Sequence, residues 1–360
     1  MSHKKNLLGL KEKELDDFFS ELGEAKYRAH QLMDWVYKKD VFSFDEMTNF
    51  PLALREKLKK IACLQGLRLV ARETSREDNV TKYLFELEDF ERIEGVVMEY
   101  SYGFTACISS QVGCRMSCNF CASGKGGLVR NLEPGEIMAQ VLFLRKELEE
   151  DGKSLAGVVL MGMGEPLDNY QAVIDFLDLL SCPRALNMSL RHVTLSTCGI
   201  APKIRELARL KLPLTLSVSL NAPVNSLRDK IMPINRRYSL EELLEACKVY
   251  EKETGSRITF DYILIGNLNS KKVYANMLAN LIKNIKCHVN LIPFNPVKDL
   301  DYKSPSQEQV DIFKRILEKE GIPVTVRRTL GRDINAACGQ LRRRKTPVKG
   351  GAKNASKRQN

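Results

Sequence analysis

Between Phe104 and Arg328, short apolar runs alternate with helical stretches. That alternation constrains the fold more than any other feature of the chain. The runs are "FTACIS", "LAGVVLMG", "RHVTLST", "LPLTLSVSL", "RITFDYILI", "HVNLIPF" and "IPVTVRR". Most are separated by segments of helical period. In "PGEIMAQVLFLRKELEE", Ile137, Val141, Leu144 and Leu148 share one face behind Pro134. Near-continuous apolar strands alternating with helices call for a parallel sheet covered by helices. Six or seven such units are too few for a closed eight-fold barrel, so an open, partial (βα)6 barrel is expected. In that architecture functional groups sit on the loops after the strands' C-terminal ends. The unusual residues do fall there. A cysteine triplet follows the first run, "MGMGEPLDN" the second, "STCG" the third and "SLNAP" the fourth. "NPV" follows the sixth and "LGRDINAACGQ" the last. A single site on one rim is expected.

The flanks read differently. Residues 1–62 form a small helical unit: "KYRAHQLMDWVYKK" sets Tyr27, His30, Leu32, Trp35 and Val36 on one stripe, and Pro51 opens the next helix. Such a compact basic unit suits either contact with nucleic acid or a plain helical cap. Residues 63–102 carry "GLRLVARE", "VTKYLFELE" and "RIEGVVMEY", three short strands read as an antiparallel extension. Residues 103–340 hold the barrel and a C-terminal cysteine loop. The fold class is thus α/β, a partial barrel with an N-terminal helical domain and a short β extension. Eight of the eleven net positive charges lie in the tail "RRRKTPVKGGAKNASKRQN". Residues 341–360 are expected to be disordered, a solvated end or an electrostatic arm for RNA phosphates. No apolar run approaches eighteen residues, and the charged start "MSHKKNLLGLKEKELDD" lacks a signal-peptide core, so a cytoplasmic protein with no membrane contact is expected.

Ten cysteines without a secretory signal argue for metal or catalytic thiols rather than a disulfide framework. Three of them, Cys114, Cys118 and Cys121, fall within the eight residues of "CRMSCNFC". Disulfides use cysteines in pairs, and structural zinc takes four ligands, which Cys107 or Cys198 would have to complete. A 4Fe–4S cube held by three thiolates keeps one iron open for a small molecule. The C-x3-C-x2-C spacing, with an aromatic before the last cysteine, is the signature of the radical S-adenosylmethionine (SAM) enzymes. "GMGEP" after the second strand resembles that superfamily's SAM-binding glycine segment.

A narrower resemblance rests on five segments in order: "ACISSQVGCRMSCNFCASGKGGLVRNL", "VVLMGMGEPLDNY", "RHVTLSTCGI", "NLIPFNP" and "VTVRRTLGRDINAACGQL". Together they closely resemble the RlmN family, across nearly the whole chain. The family consists of dual-specificity RNA methyltransferases that act on adenosine C2, in the peptidyl transferase centre of 23S rRNA and in certain tRNAs. The sister family Cfr methylates C8 of the same rRNA adenosine. The resemblance implies one 4Fe–4S cluster, two SAM molecules per turnover and a flavodoxin- or ferredoxin-type electron donor, in a monomer. It makes Cys114, Cys118 and Cys121 the cluster ligands. Gly164, Glu165, Ser196, Ser219, Leu220, Asn221 and Asn295 become SAM contacts. Cys338 becomes the thiol methylated by the first SAM, which then adds to the base as a methylene radical. Cys107 becomes the resolving thiol, releasing the product through a transient disulfide with Cys338. Glu94 matches a proton acceptor, although burial preference alone makes it an exposed strand carboxylate. One departure is Asn221, where many relatives have a histidine, so a cationic role at that position is lost. The other is the basic tail. A zinc-stabilised RNA-binding protein without catalysis is the reading outside the enzyme class. RNA contacts are expected among Arg191, His192, Arg228, Arg236, Arg237, Arg327 and Arg328.

Overall fold

The computed structural model describes residues 4–296 and 301–341. Near its N-terminus, strand β1 (Lys5–Asn6) pairs in parallel with β2 (Ala62–Cys63), closing the helical unit on itself. Helices span Glu12–Glu21, Tyr27–Met33 and Leu52–Ile61, the last entered through Pro51. A π-type turn over Asp34–Lys38 continues the second helix. Of the expected stripe, Leu32 and Val36 are buried while Tyr27, at the start of the second helix, is exposed. Phe19 and Phe50 meet edge to face at the centre of this unit.

Among the described residues, the main sheet has ten strands. Strands β3 (Arg68–Thr74), β4 (Val80–Glu86) and β5 (Arg92–Tyr100) form the antiparallel extension and join β6 (Gly103–Cys107). A separate hairpin, β7 (Gln111–Gly113) with β8 (Leu128–Asn131), brackets the cysteine triplet. The remaining strands are β9 (Leu155–Leu160), β10 (Val193–Thr197), β11 (Thr215–Ser219), β12 (Ile258–Leu264), β13 (Cys287–Pro293) and β14 (Val324–Val326). The order is β14-β13-β12-β11-β10-β9-β6-β5-β4-β3. From β6 to β14 every pairing is parallel and sequential. The expected fold class therefore holds: a partial barrel of six βα strands with β14 at its edge, extended by three antiparallel strands.

Helices over Pro134–Glu150, Tyr170–Ser181, Ala201–Leu210, Leu240–Thr254, Lys272–Ile282 and Gln307–Lys319 cover the outer face. Their apolar faces meet the outward residues of the strands. Leu216 and Val218 of β11 are fully buried against them. The inward residues are partly polar. Ser217 Oγ donates to Asp261 Oδ2 at 2.6 Å, and Asn290 Nδ2 donates to Asp261 Oδ1 at 3.2 Å. A period of two thus separates an apolar outer row from a polar inner one. Among the described residues, no helix is long and apolar enough to cross a membrane.

Candidate functional site

Two loops at the C-terminal rim are stitched together before any ligand is considered. The β6 end and the "GMGEP" segment share a row of bonds. Gly162 N–H donates to Ile108 O at 3.0 Å, Ser110 N–H to Met163 O at 2.9 Å and Met163 N–H to Ser109 Oγ at 2.9 Å. Gly164 has φ +105°, and a Cβ there would stand 2.8 Å from both the Gln111 amide nitrogen and Ser110 Oγ. Only glycine allows this approach. The next residue, Glu165, is buried. It accepts from Leu167 N–H at 3.0 Å and from Cys198 N–H at 2.7 Å, linking the ends of β9 and β10. Burial raises its carboxyl pKa against those bonds.

The cysteine loop is closed by Cys114 N–H donating to Gly127 O at 3.0 Å and by Cys121 N–H donating to Cys118 O at 3.1 Å. Asn119 N–H reaches Ile231 O at 3.0 Å, on the helix over Asn225–Ile231. Ala122 N–H reaches Gly339 O at 2.8 Å, which joins this loop to the one carrying Cys338.

One cavity, with about 1130 Å³ of empty space including its open mouth, collects most of the expected residues. Cys114, Cys118, Cys121, Cys107 and Cys338 line it together with Gly164, Glu165, Ser196 and Ser219. With Cys198, which also lines it, six thiols from both ends of the barrel chain thus face one space. Four expected residues stand outside its wall. Leu220 and Asn221 are buried behind it, Asn295 is buried beyond the end of β13, and Glu94 is buried on β5. Glu94 is 1% exposed, which corrects the expectation of an exposed strand carboxylate. It shares a strand face with Val96 and Met98, which do line the cavity. Asn221 sits at φ +59°, a region that asparagine tolerates better than most residues. Its Oδ1 accepts from Ile263 N–H at 2.8 Å, and its Nδ2 contacts Met232 Sδ at 3.1 Å, so its side chain ties β11 to β12.

The donor set fits an iron–sulfur cluster. Burial pushes the Cys114 thiol up to about 12 and the Cys118 thiol well above its ordinary value. Bare thiolates are disfavoured there, and a cationic metal centre would reverse that. A single zinc would draw every sulfur to about 2.3 Å from one point. Among the described residues, no three His, Cys, Asp or Glu side chains converge in that way. A cube offers a separate iron to each of the three sulfurs, so it does not require them to converge on one point.

At the cavity floor, Cys107 and Cys338 face the same guanidinium. Cys107 is held in β6, and burial pushes its thiol up to about 12, with the neighbouring Cys338 adding to the rise and Arg327 opposing it. Cys338 is open to solvent through the mouth yet ringed by protein, so its thiol is also raised, against the pull of Arg327. Burial works against the charge of Arg327, but Cys338, Tyr100 and Asp261 around it hold it protonated. All ten cysteines are free thiols. No disulfide joins Cys107 and Cys338 in this structure; the disulfide expected between them was a transient one, formed only as product is released.

Several residues were misread or missed. Arg228, expected to meet RNA, is fully buried. Its guanidinium donates to Cys198 O at 2.7 Å and to Ser219 O and Leu220 O at 3.0 Å each, pinning the ends of β10 and β11. Arg327 also turns inward and lines the cavity. Arg191 and His192 precede β10 and so stand at the end of the barrel opposite the rim. Arg236, Arg237 and Arg328 remain exposed. Asp261 was missed, although the polar–apolar alternation of "TLSVS" and the lone acid in "ITFDYIL" were visible signals. The tail from residue 342 lies outside the described residues.

Comparison with known proteins agrees with this geometry. Residues 5–64 match the family model described as the ribosomal RNA large subunit methyltransferase N-terminal domain. Residues 108–277 match the radical SAM superfamily. A probable dual-specificity RNA methyltransferase RlmN of Pelotomaculum thermopropionicum is 50% identical over 331 residues, covering 92% of this chain and 89% of its own. That of Desulforamulus reducens is 48% identical over 343 residues, covering 95% and 97%. The crystal structure of a radical SAM methyltransferase from Sphaerobacter thermophilus superposes with a TM-score of 0.91 at 41% identity, covering 94% of this chain and 99% of that one.

Proposed function

This chain belongs to the RlmN family of radical SAM methyltransferases, and from that premise we propose that it methylates C2 of adenosine in 23S rRNA and in some tRNAs, through a methyl group carried on Cys338. One observation carries the reading: beyond the cluster triplet, Cys107 and Cys338 face the same Arg327 guanidinium within the triplet's own cavity, whereas the remaining thiol of that lining, Cys198, is buried against Glu165. A radical SAM site that only cleaved SAM would need the triplet alone.

Adenine C2 lies between two ring nitrogens and is too electron-poor to attack a methyl sulfonium, so polar methyl transfer fails and radical addition is required. When bound, the cluster and SAM supply the 5′-deoxyadenosyl radical that starts the chemistry. Cys114, Cys118 and Cys121 would hold the cluster, and Gly164, Glu165, Ser196 and Ser219 would hold SAM beside it. Leu220, Asn221 and Asn295 support that pocket from behind. Cys338 accepts the methyl of a first SAM and later presents it, as the carbon radical, to C2. Cys107 takes the C2 proton, with Glu94 as a further proton acceptor. As the Cys338 S–CH2 bond breaks, the Cys107 and Cys338 sulfurs would join in a transient disulfide, the surplus electron leaving to the electron carrier and a proton completing the methyl group. The buried, largely apolar wall formed by Val96, Met98, Phe120 and Ile292 excludes water from the radical. Residues 5–64 are assigned to RNA contact, and exposed Arg236, Arg237 and Arg328 to phosphates. A flavodoxin- or ferredoxin-type donor supplies the electron, and the chain works as a monomer.

Anaerobic reconstitution with iron, sulfide, SAM, reductant and an rRNA fragment tests this. Nucleoside mass spectrometry is expected to find 2-methyladenosine. Only 8-methyladenosine would move the enzyme to the Cfr reaction, and one zinc with no iron would overturn it altogether.

A further inference from the structure

Strands β3 and β4 contribute nothing to the cavity wall, yet the hairpin they form converges on one distant loop. Its turn is ordered by Ser75, whose Oγ accepts from the Glu77 and Asp78 amides at 3.1 Å each. That turn presents Asp78, whose Oδ2 accepts from Gly331 N–H at 2.8 Å. The Arg76 amide donates to Asp333 Oδ2 at 2.9 Å. Lys82 of β4 is 3% exposed; it donates to the Ile334 carbonyl and pairs with Glu73 at 3.0 Å. Gly331, at φ +64°, packs so tightly that a Cβ would lie 2.9 Å from Val80 Cγ1. Past Cys338, the same loop is moored a second time. Ala122 N–H holds Gly339 O at 2.8 Å, and Ser123 Oγ donates to Leu341 O at 2.7 Å. Between the two moorings, Ala336, Ala337 and Cys338 line the cavity.

Burying a lysine ammonium is costly, and lysine is seldom so buried without a purpose or partner. Here the ammonium is spent on a loop carbonyl more than 250 residues away in sequence. We infer that the β3–β4 hairpin is the positioning element of the Cys338 loop, with Lys82 and Asp78 as positioning residues that set where the sulfur sits. This rests on the reading that Cys338 carries the methyl group. Hydrogen transfer and radical addition both need reacting atoms about 3–3.5 Å apart, and a misplacement of about 1 Å can cost about 10²-fold. A loop without strand or helix holds such a tolerance only when its neighbours fix it.

The test compares Lys82→Met, Asp78→Ala and Asp78→Asn with the parent. The last keeps a side-chain oxygen for the Gly331 amide. Iron, 5′-deoxyadenosine and methylated adenosine are measured on the same reconstituted samples. Lys82→Met and Asp78→Ala should keep iron and SAM cleavage. Their methylated adenosine per 5′-deoxyadenosine should fall about 10-fold or more, with Asp78→Asn restoring the ratio. A cluster-free readout runs beside it: iodoacetamide labelling of Cys338, followed by peptide mass spectrometry, should change rate several-fold in the two disruptive variants, with Cys182 unchanged. Parental ratios and parental Cys338 labelling in both variants would overturn the inference. A parent that cleaves SAM but methylates no RNA would instead overturn the proposed function, and this inference with it.

Discussion

Replacing Cys338 by alanine should abolish RNA methylation while leaving iron content and reductive SAM cleavage in place. The cluster thiols are on a different loop from Cys338, joined to it among the described residues through main-chain and Ser123 hydrogen bonds that alanine keeps. Product should fall below detection, because no other cysteine of the cavity is both outside the triplet and solvent-exposed. The companion change, Cys107→Ala, should behave differently. Methyl transfer to Cys338 and addition to the base remain available, but the thiol that takes the C2 proton is gone. The protein should then stay covalently bound to RNA, visible as a slow-migrating band resistant to denaturation and sensitive to nuclease. Groups that act in sequence are not additive. The double variant should therefore match Cys338→Ala and show no band. Normal turnover by Cys107→Ala would remove that residue from the reaction, and turnover by Cys338→Ala would remove the methyl carrier.

The second large effect is at the triplet. Cys118→Ala should lose the cluster: iron and sulfide per chain should drop to background, with the visible charge-transfer absorption and all SAM cleavage. Three thiolates already leave one iron open, and two leave the cube without enough anchors. Thermal unfolding of the cluster-free chain should change little, because the loop is also held by the Asn119, Ala122 and Ser123 contacts. A Cys118→Ala protein that bound full iron and cleaved SAM would refute the ligand assignment.

Much of this was legible in the sequence, for physical reasons. The βα alternation reports burial on both faces of a parallel sheet, and it placed every strand from β9 to β13. The cysteine spacing and "GMGEP" are local, so their loops could be read directly. What escaped depends on distant partners. Strands β7 and β8 are three and four residues long, and they exist because Gly113 and Gly127 can approach closely around the cysteine loop. Buried cations look like surface ones in a sequence. Arg228 is satisfied by carbonyls of Cys198, Ser219 and Leu220, and Lys82 by Ile334, none of which carries a side-chain signal. Glu94 seemed exposed because carboxylates usually are; its place between the extension and the barrel buries it. Asn221 was read through the histidine it replaces, whereas its left-handed backbone and its bond to Ile263 give it a structural task of its own.

The central claim is that the transferred carbon travels on Cys338 and loses a hydrogen on the way. Turnover with SAM bearing a trideuterated methyl group tests it in one spectrum. Loss of one deuterium from the carried methyl and gain of one proton should give 2-methyladenosine with a CHD2 group, alongside 5′-deoxyadenosine containing one deuterium. An intact CD3 group on the product would mean direct transfer from SAM and would contradict the account.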